Sequence, residues 1–471
     1  MESSAITAGD RETNYYNVAP YGTAIGDMCY LGSGVMETVG STVFTYVSEA
    51  SDRTALGVYD RGLMSFTDSA VYAYTLRVGM SSSNKTVGRD DEVATMIFDN
   101  STLRNSLGEA GERIFVGDGG DTAGTLIIRN NSVVDKAGAA MTVANNGTVW
   151  ITDSELNVKS LSNEGTVNVS GESKLNISSL TGSIIIADAT VKDGTSVGGK
   201  TGSIDFAGSE VNFDGKVTID AAVYSSTSSD ATVININDGA DVTWNTKEYT
   251  TYQGGMNIAK DDTLNVNGKL TVTGDNIYLK GATTVAENGE FNVNDAGFQN
   301  TYGKLTVNGA MNITDTYDDG SYQNIKLAGN DNASVFGELD VDGGILTIDA
   351  PSFAFGGGFI SSGWKDAASG AVTVQNGGKI TANAVVFRNG ANSELNLDNG
   401  TLEFTEAGDF GTVHSTLGTA IDNYGLITAE NGSCIDFGDR TFVNDGTVSI
   451  IDSELNVKSL SNAGTVNVSG T

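Results

Sequence analysis

Few side chains in this sequence could do chemistry. The chain has one histidine, His414, and two cysteines, Cys29 and Cys434. His414 stands beside Ser415 with Asp409 nearby. That grouping invites a relay in which imidazole takes the hydroxyl proton and a carboxylate orients the imidazole. No Gly-x-Ser-x-Gly elbow surrounds Ser415 to present it as a nucleophile, so the expectation is a loop histidine. Acidic pairs occur at Asp90-Asp91, Asp261-Asp262 and Asp318-Asp319, and two carboxylates at suitable separation can cleave a glycosidic bond. With 59 acidic residues, however, adjacent pairs are expected on a solvated surface. Asp315-Thr316-Tyr317-Asp318-Asp319-Gly320 matches an EF-hand loop only in part, because Tyr317 fills the third position and no helices flank it. Gly117-Asp118-Gly119-Gly120-Asp121 lacks the recurrence of calcium-binding β-rolls. Trp364, after Gly356-Gly357-Gly358, is the best-placed side chain for stacking on a sugar, with packing as its default role. The expectation is therefore no catalytic, cofactor-binding or metal-binding residue and no cofactor, with no ligand-binding residue assigned. Two cysteines so far apart make no disulfide framework, and both are expected as free thiols.

Composition narrows the class. Of 471 residues, 60 are glycine and only 2 proline, which excludes collagen-like and proline-rich disordered chains. A hydrophobic fraction of 39% is enough for a core. The net charge of −33 argues against nucleic acid as a partner, since phosphate binding needs clustered Lys and Arg. There is no run of 18 apolar residues, so this segment is not expected to insert directly into a membrane. Residues 1–10 have neither the basic start nor the apolar run of a secretory signal.

An internal duplication is the strongest signal. ITDSELNVKSLSNEGTVNVSG at 151–171 returns as IIDSELNVKSLSNAGTVNVSG at 450–470, differing only at Thr152/Ile451 and Glu164/Ala463. The first copy runs on into Glu172-Ser173-Lys174-Leu175 and the second stops at Thr471, so the chain is expected to be a slice of a longer array, truncated mid-repeat.

Inside the long repeat lie apolar pairs with one polar residue between: Val149/Ile151, Leu156/Val158, Val167/Val169, Leu175/Ile177, Ile184/Ile186, Leu264/Val266, Leu270/Val272, Phe291/Val293, Leu305/Val307, Met311/Ile313, Leu339/Val341, Leu346/Ile348, Val372/Val374, Leu395/Leu397, Leu402/Phe404 and Val466/Val468. This period of two is the mark of strands with one buried face. Asn-Gly or Asp-Gly separates many of them, at 146–147, 214–215, 267–268, 288–289, 308–309, 399–400 and 445–446. Both residue types tolerate positive φ, which makes sharp corners cheap. Sandwich arrays and propellers need signatures that are missing here, and a continuous ladder excludes proline. The expected fold is all-β: a right-handed parallel β-helix, an elongated single rod of roughly 20 to 25 residues per coil, each coil adding about 4.8 Å. Residues 1–95 lack the Asn-Gly corners and hold half the tyrosines. They are expected to form an N-terminal cap or irregular first coils, with the repeat array over 96–471.

Asn-Glu-Gly-Thr-Val-Asn-Val-Ser-Gly (163–171), with variants at 287–294 and 398–405, resembles the passenger repeats of bacterial autotransporters and related surface adhesins. The resemblance covers about residues 95–471. It implies a right-handed β-helix displayed outside a Gram-negative cell, between a signal peptide and an outer-membrane β-barrel that this sequence does not contain. Pectin-degrading hydrolases with a β-helix resemble one another in carboxylate clusters plus Gly-His-Gly and Arg-Ile-Lys elements. Here His414 lies between Val413 and Ser415, and no Arg-Ile-Lys occurs. The expected function is a non-enzymatic, extracellular structural or adhesive rod at a bacterial surface, with host or bacterial cell-surface glycans or proteins as partners and self-association as a further expectation. The alternatives are a β-helical polysaccharide lyase or hydrolase and a phage-type trimeric tail spike.

Overall fold

The computed structural model describes residues 23–25, 28–31, 35–45, 55–59, 62–80, 92–104, 112–117, 122–191, 196–197, 203–205, 209–219, 222–224, 231–246, 255–274, 276–300, 302–315, 325–329, 336–356, 369–384, 386–405 and 421–470. They fall into two units, Met1–Ala221 and Ala222–Thr471. Each unit is a parallel β-helix. The second unit makes three short strands per turn, whereas in the first unit some strands, such as Val133–Val143 and Lys174–Val191, run through two faces; strands pair in parallel from one turn to the next. In the second unit one such turn is Thr263–Val266, Lys269–Gly274 and Ile277–Leu279. These pair with Ala282–Val285, Glu290–Asn294 and Phe298–Asn300 of the next. In the first unit a single face runs through Val35–Val39, Leu63–Thr67, Glu92–Asp99, Thr122–Arg129, Gly147–Thr152 and Thr166–Gly171.

Alternation along each strand puts every second residue inside, and register puts like residues on like. Val149 stacks on Leu126 and under Val167, and Ile151 on Ile128 and under Val169. All the apolar pairs named above are buried except Val466/Val468. Phe66 and Phe98 stack at 5.2 Å in the first unit, and Phe353, Phe387, Phe404, Phe437 and Phe442 form a continuous ring cluster in the second. Burying one such side chain stabilises by about 1.5–3 kcal/mol. An exposed cross-coil ion pair such as Lys269–Glu290 contributes about 0–1 kcal/mol, so the inward columns hold the coils together.

Five of the seven Asn-Gly and Asp-Gly corners differ from expectation in their physical cause, whereas Gly215 and Asn399 do take positive φ, at 64° and 54°. At Asn146-Gly147, Asn267-Gly268, Asn288-Gly289, Asn308-Gly309 and Asp445-Gly446 neither residue has positive φ. Glycine is required there because a Cβ would overlap backbone of the preceding coil: at Gly147 the carbonyl oxygen of Val116, at Gly289 that of Val266, at Gly446 that of Gly425. Five of the eleven non-glycine residues with positive φ among the described residues are Asx one place before a serine: Asp68, Asn100, Asn131, Asp153 and Asp452. Those serines form a ladder. Ser69, Ser101 and Ser132 each donate a backbone N–H to the Oγ of the next, Ser101, Ser132 and Ser154, at 2.9, 3.0 and 3.2 Å. The Ser101 and Ser154 hydroxyls in turn donate to the carbonyls of Asp99 and Thr152. Ser433 and Ser453 repeat the arrangement in the second unit.

A second ladder is made of asparagines, three of them buried (Asn389, Asn423 and Asn444) and the last, Asn462, exposed. Asn389, Asn423, Asn444 and Asn462 occupy one register position on successive coils. Each Nδ2 donates to the next Oδ1, at 2.8, 2.7 and 2.7 Å. Asn423 and Asn444 also donate to the glycine carbonyl two residues on, Gly425 and Gly446. The residue beneath Asn389 in register is Phe355, which offers no donor, and the Asn389 Oδ1 is buried without a partner.

Coil length also departs from the expected 20 to 25 residues. Register partners are 18 residues apart at Asn444 and Asn462 but 34 apart at Arg388 and Asp422. The excess enters between strands and leaves the ladders in register. The expected boundary at residue 95 lies within strand Glu92–Asp99, and strands on both sides of it belong to the same face. Residues 1–22 lie outside the described residues.

Because Asn423 bonds to two neighbouring coils, Asn423→Ala should lower unfolding free energy by about 2–4 kcal/mol in urea. Asn423→Asp at pH 7 should cost more, since it sets a carboxylate against the carbonyl oxygens of Gly425 and Thr447. An Asp variant as stable as the parent would contradict the ladder.

Candidate binding surface

The residues singled out for chemistry do not converge among the described residues. His414, Ser415, Asp409, Trp364, Asp90-Asp91 and Asp318-Asp319 lie outside them. Asp262 is buried, and its Oδ1 accepts the Thr232 N–H at 2.7 Å, which caps the coil beneath. Its neighbour Asp261 is exposed. Asp315 is buried and donates its N–H to the Asp349 carbonyl at 3.0 Å as part of the corner. No group of three or more His, Cys, Asp or Glu that could hold a metal ion occurs among the described residues. Cys434 is a free thiol. Burial, and then the carboxylates of Glu454, Asp436 and Glu403, push its pKa up, making it a poor nucleophile.

Several buried polar groups were not foreseen. Lys136 points inward from strand Val133–Val143. Its Nζ donates to the carbonyls of Ala73 and Tyr74 at 2.5 and 3.0 Å and lies 3.8 Å from Glu112 Oε2, with both side chains buried. Arg388 Nε meets Asp422 Oδ2 at 3.2 Å on the outward side of a face whose outward residues Lys326, Ala354, Arg388 and Asp422 are all buried. Arg440 donates to the carbonyls of Ala384 and Thr405 at 3.0 and 2.8 Å and lies over the Phe404 ring, tying together three coils. Single charged residues in strands carry no periodic signal, so sequence pattern could not find them.

One outward strip in the first unit brings an exposed indole together with aliphatic and hydroxyl side chains. Three outward columns cross strands Glu92–Asp99, Thr122–Arg129, Gly147–Thr152 and Thr166–Gly171: Thr95, Thr125, Thr148, Thr166; Ile97, Ile127, Trp150, Asn168; and Asp99, Arg129, Thr152, Ser170. Steps are about 4.8 Å between coils and about 6.6 Å along a strand. Ile97 and Ile127 are half-buried, and Trp150 is 46% exposed. Asp99 and Arg129 pair at 2.8 Å, and the Asn130 amide, then the Arg129 guanidinium, hold the Asp99 carboxyl below its usual range. An indole flanked by hydroxyls offers an apolar platform and hydrogen bonds together. Trp150 immediately precedes the first repeat copy, and Ser449 holds its place before the second, with Asn168 and Asn467 as the matching register partners. The coil therefore forms without a tryptophan there. Trp244, by contrast, is fully buried.

Burial lowers the Lys136 pKa to about 8, with Glu112 opposing the shift. Between about pH 8 and the ordinary lysine value of 10.5 the unfolded chain binds the extra proton, so this residue's penalty is full below pH 8 and is relieved as pH rises. Relative to Lys136→Met, the parent should gain about 3 kcal/mol across that window. Denaturant titrations of both at several pH values check this, and a pH-independent difference would contradict it.

Comparison with protein-family models and with curated proteins returns no match to this chain.

Proposed function

We propose that this chain is a non-enzymatic β-helix displayed at a bacterial surface, structural and adhesive in role, of the autotransporter passenger type. Cell-surface glycans or proteins of a host or neighbouring cell are its partners. The reading rests on one observation above the others: Trp150 is exposed between hydroxyl-bearing columns on a coil whose duplicate does without it. An aromatic that packing does not need, on a stiff face, is the kind of residue that anchors contact energy. Repeated weak contacts along such a face would add by avidity, and the high acidic charge would keep the sheets soluble.

Trp150→Ser copies what the second repeat already contains. It should change stability by less than about 0.5 kcal/mol and weaken binding on a glycan array or to whole cells by about tenfold or more. Binding that is unchanged in this variant would overturn the assignment to this strip. Release of reducing or unsaturated sugar ends by the parent chain would overturn the non-enzymatic reading.

A further inference from the structure

One corner of the second unit carries side chains that the coil does not need. Thr283 pairs with Leu305 and Lys304 with Glu338, so Gly281, Gly303 and Gly337 occupy the same place on successive coils. A Cβ at Gly303 would overlap the Gly281 carbonyl oxygen, which confirms the alignment. The residues just before these glycines therefore form one column, Lys280, Tyr302 and Phe336, with steps of about 4.8 Å. Lys280 is half-buried, Tyr302 is 41% exposed and Phe336 is 51% exposed. Tyr278, two residues before Lys280, lies beneath its ammonium, with Nζ 5.6 Å from the ring centroid.

The corner forms without aromatics. In the same column Ser369 pairs with Phe336, and Asn392 with Ser369. Two exposed rings on adjacent coils hold apolar surface in water, which is unfavourable unless a partner covers it. The charge beside them is unmatched as well. Lys269, Lys304 and Lys379 pair with Glu290, Asp340 and Glu403. Among the described residues no carboxylate comes within ion-pair distance of Lys280, and burial alone lowers its pKa. The face of the Tyr278 ring is a weak substitute for an acid, and this in a chain of net charge −33.

We propose that Tyr278, Lys280, Tyr302 and Phe336 form a binding site for an acidic sugar, one that carries a carboxylate on its pyranose ring. The apolar face of the ring stacks on Tyr302 and Phe336, and the carboxylate meets the Lys280 ammonium. A carboxylate borne on the ring stays close to the stacked face, within the coil step of about 4.8 Å between Tyr302 and Lys280. A ring with one apolar face, hydroxyls at its edge and a single charge suits a surface that is both aromatic and cationic. Asp261, one coil below Lys280 by the same register, and Glu338, two residues after Phe336, are exposed acids that border the site. They repel a densely charged polyanion and leave an isolated acidic sugar as the better ligand. A glycan partner is common to this proposal and the reading above, but no residue is shared, since Trp150 belongs to the first unit.

The test is calorimetric titration of the full chain with a trisaccharide ending in one glucuronate, and with the methyl ester of the same trisaccharide. The acid should bind about tenfold or more tightly than the ester. Lys280→Gln should abolish that preference and leave ester binding unchanged, whereas Tyr302→Ser with Phe336→Ser should weaken both by about tenfold or more. Unchanged urea midpoints verify that the variants fold. Hydrogen exchange locates the site: the acid should slow exchange at residues 276–300 and 302–307 and not at 147–170. Equal binding of acid and ester, binding of neither, or an acid preference that survives Lys280→Gln would overturn the proposal. Protection confined to 147–170 would overturn it too, while leaving the Trp150 reading intact. Tighter binding of an alternating aspartate-glycine hexapeptide than of the trisaccharide would make a protein the partner and equally overturn it.

Discussion

Parallel stacking in register is the constraint on which everything else in this protein depends. Each coil is held by the one below and the one above, so a residue's surroundings are set mainly by residues 17 to 38 places away in sequence. The spacing of strands, about 4.8 Å, leaves no room for a Cβ where backbones turn together, which is why Gly425, Gly446 and Gly464 recur at one corner. It also brings identical polar side chains within hydrogen-bonding distance. A lone buried asparagine would be costly, since its amide needs several partners. In Asn389, Asn423 and Asn444 most of those needs are met by the next copy and by corner carbonyls. Serine does the same at another corner with its hydroxyl and its own N–H.

This explains what the sequence disclosed and what it hid. Two faces of each coil were legible as apolar pairs, because their inward positions are aliphatic or aromatic. The third face was not, since strands such as Ile421–Asn423 and Thr441–Asn444 place asparagine at a buried position, and a search for apolar alternation passes over it. The available signal was Asn-x-Gly, as in Asn423-Tyr424-Gly425, Asn444-Asp445-Gly446 and Asn462-Ala463-Gly464. Reading Asp445-Gly446 as a corner of permissive dihedrals caught the glycine and missed the asparagine before it. The Asx-Ser corners carry no glycine, and serine's hydrogen-bonding role there leaves no mark in local sequence pattern.

Of the candidate surface, only the presence of a tryptophan near the repeat was visible in sequence. Its exposure depends on strand phase: Trp150 lies between the inward residues Val149 and Ile151, so it must point out, whereas Trp244 shares the inward phase of Val242. The flanking Thr columns become a surface only when four separate strands are laid in register. Nothing in local pattern foretold Lys136, whose inward position is filled by Val158 on the next coil. There the ammonium takes corner carbonyls and Glu112 as partners, an arrangement that removing either charge would unbalance.

The most direct test of the account asks whether register is as described. In a chain with both cysteines replaced by serine, Thr284→Cys and Thr306→Cys place two outward thiols at paired positions on adjacent coils, about 4.8 Å apart between backbones and within disulfide reach. Thr284→Cys with Asp340→Cys places them two coils apart. Oxidation should close an intramolecular bridge rapidly in the first chain and not in the second. Equal bridging in both, or bridging only in the second, would contradict the in-register parallel stack.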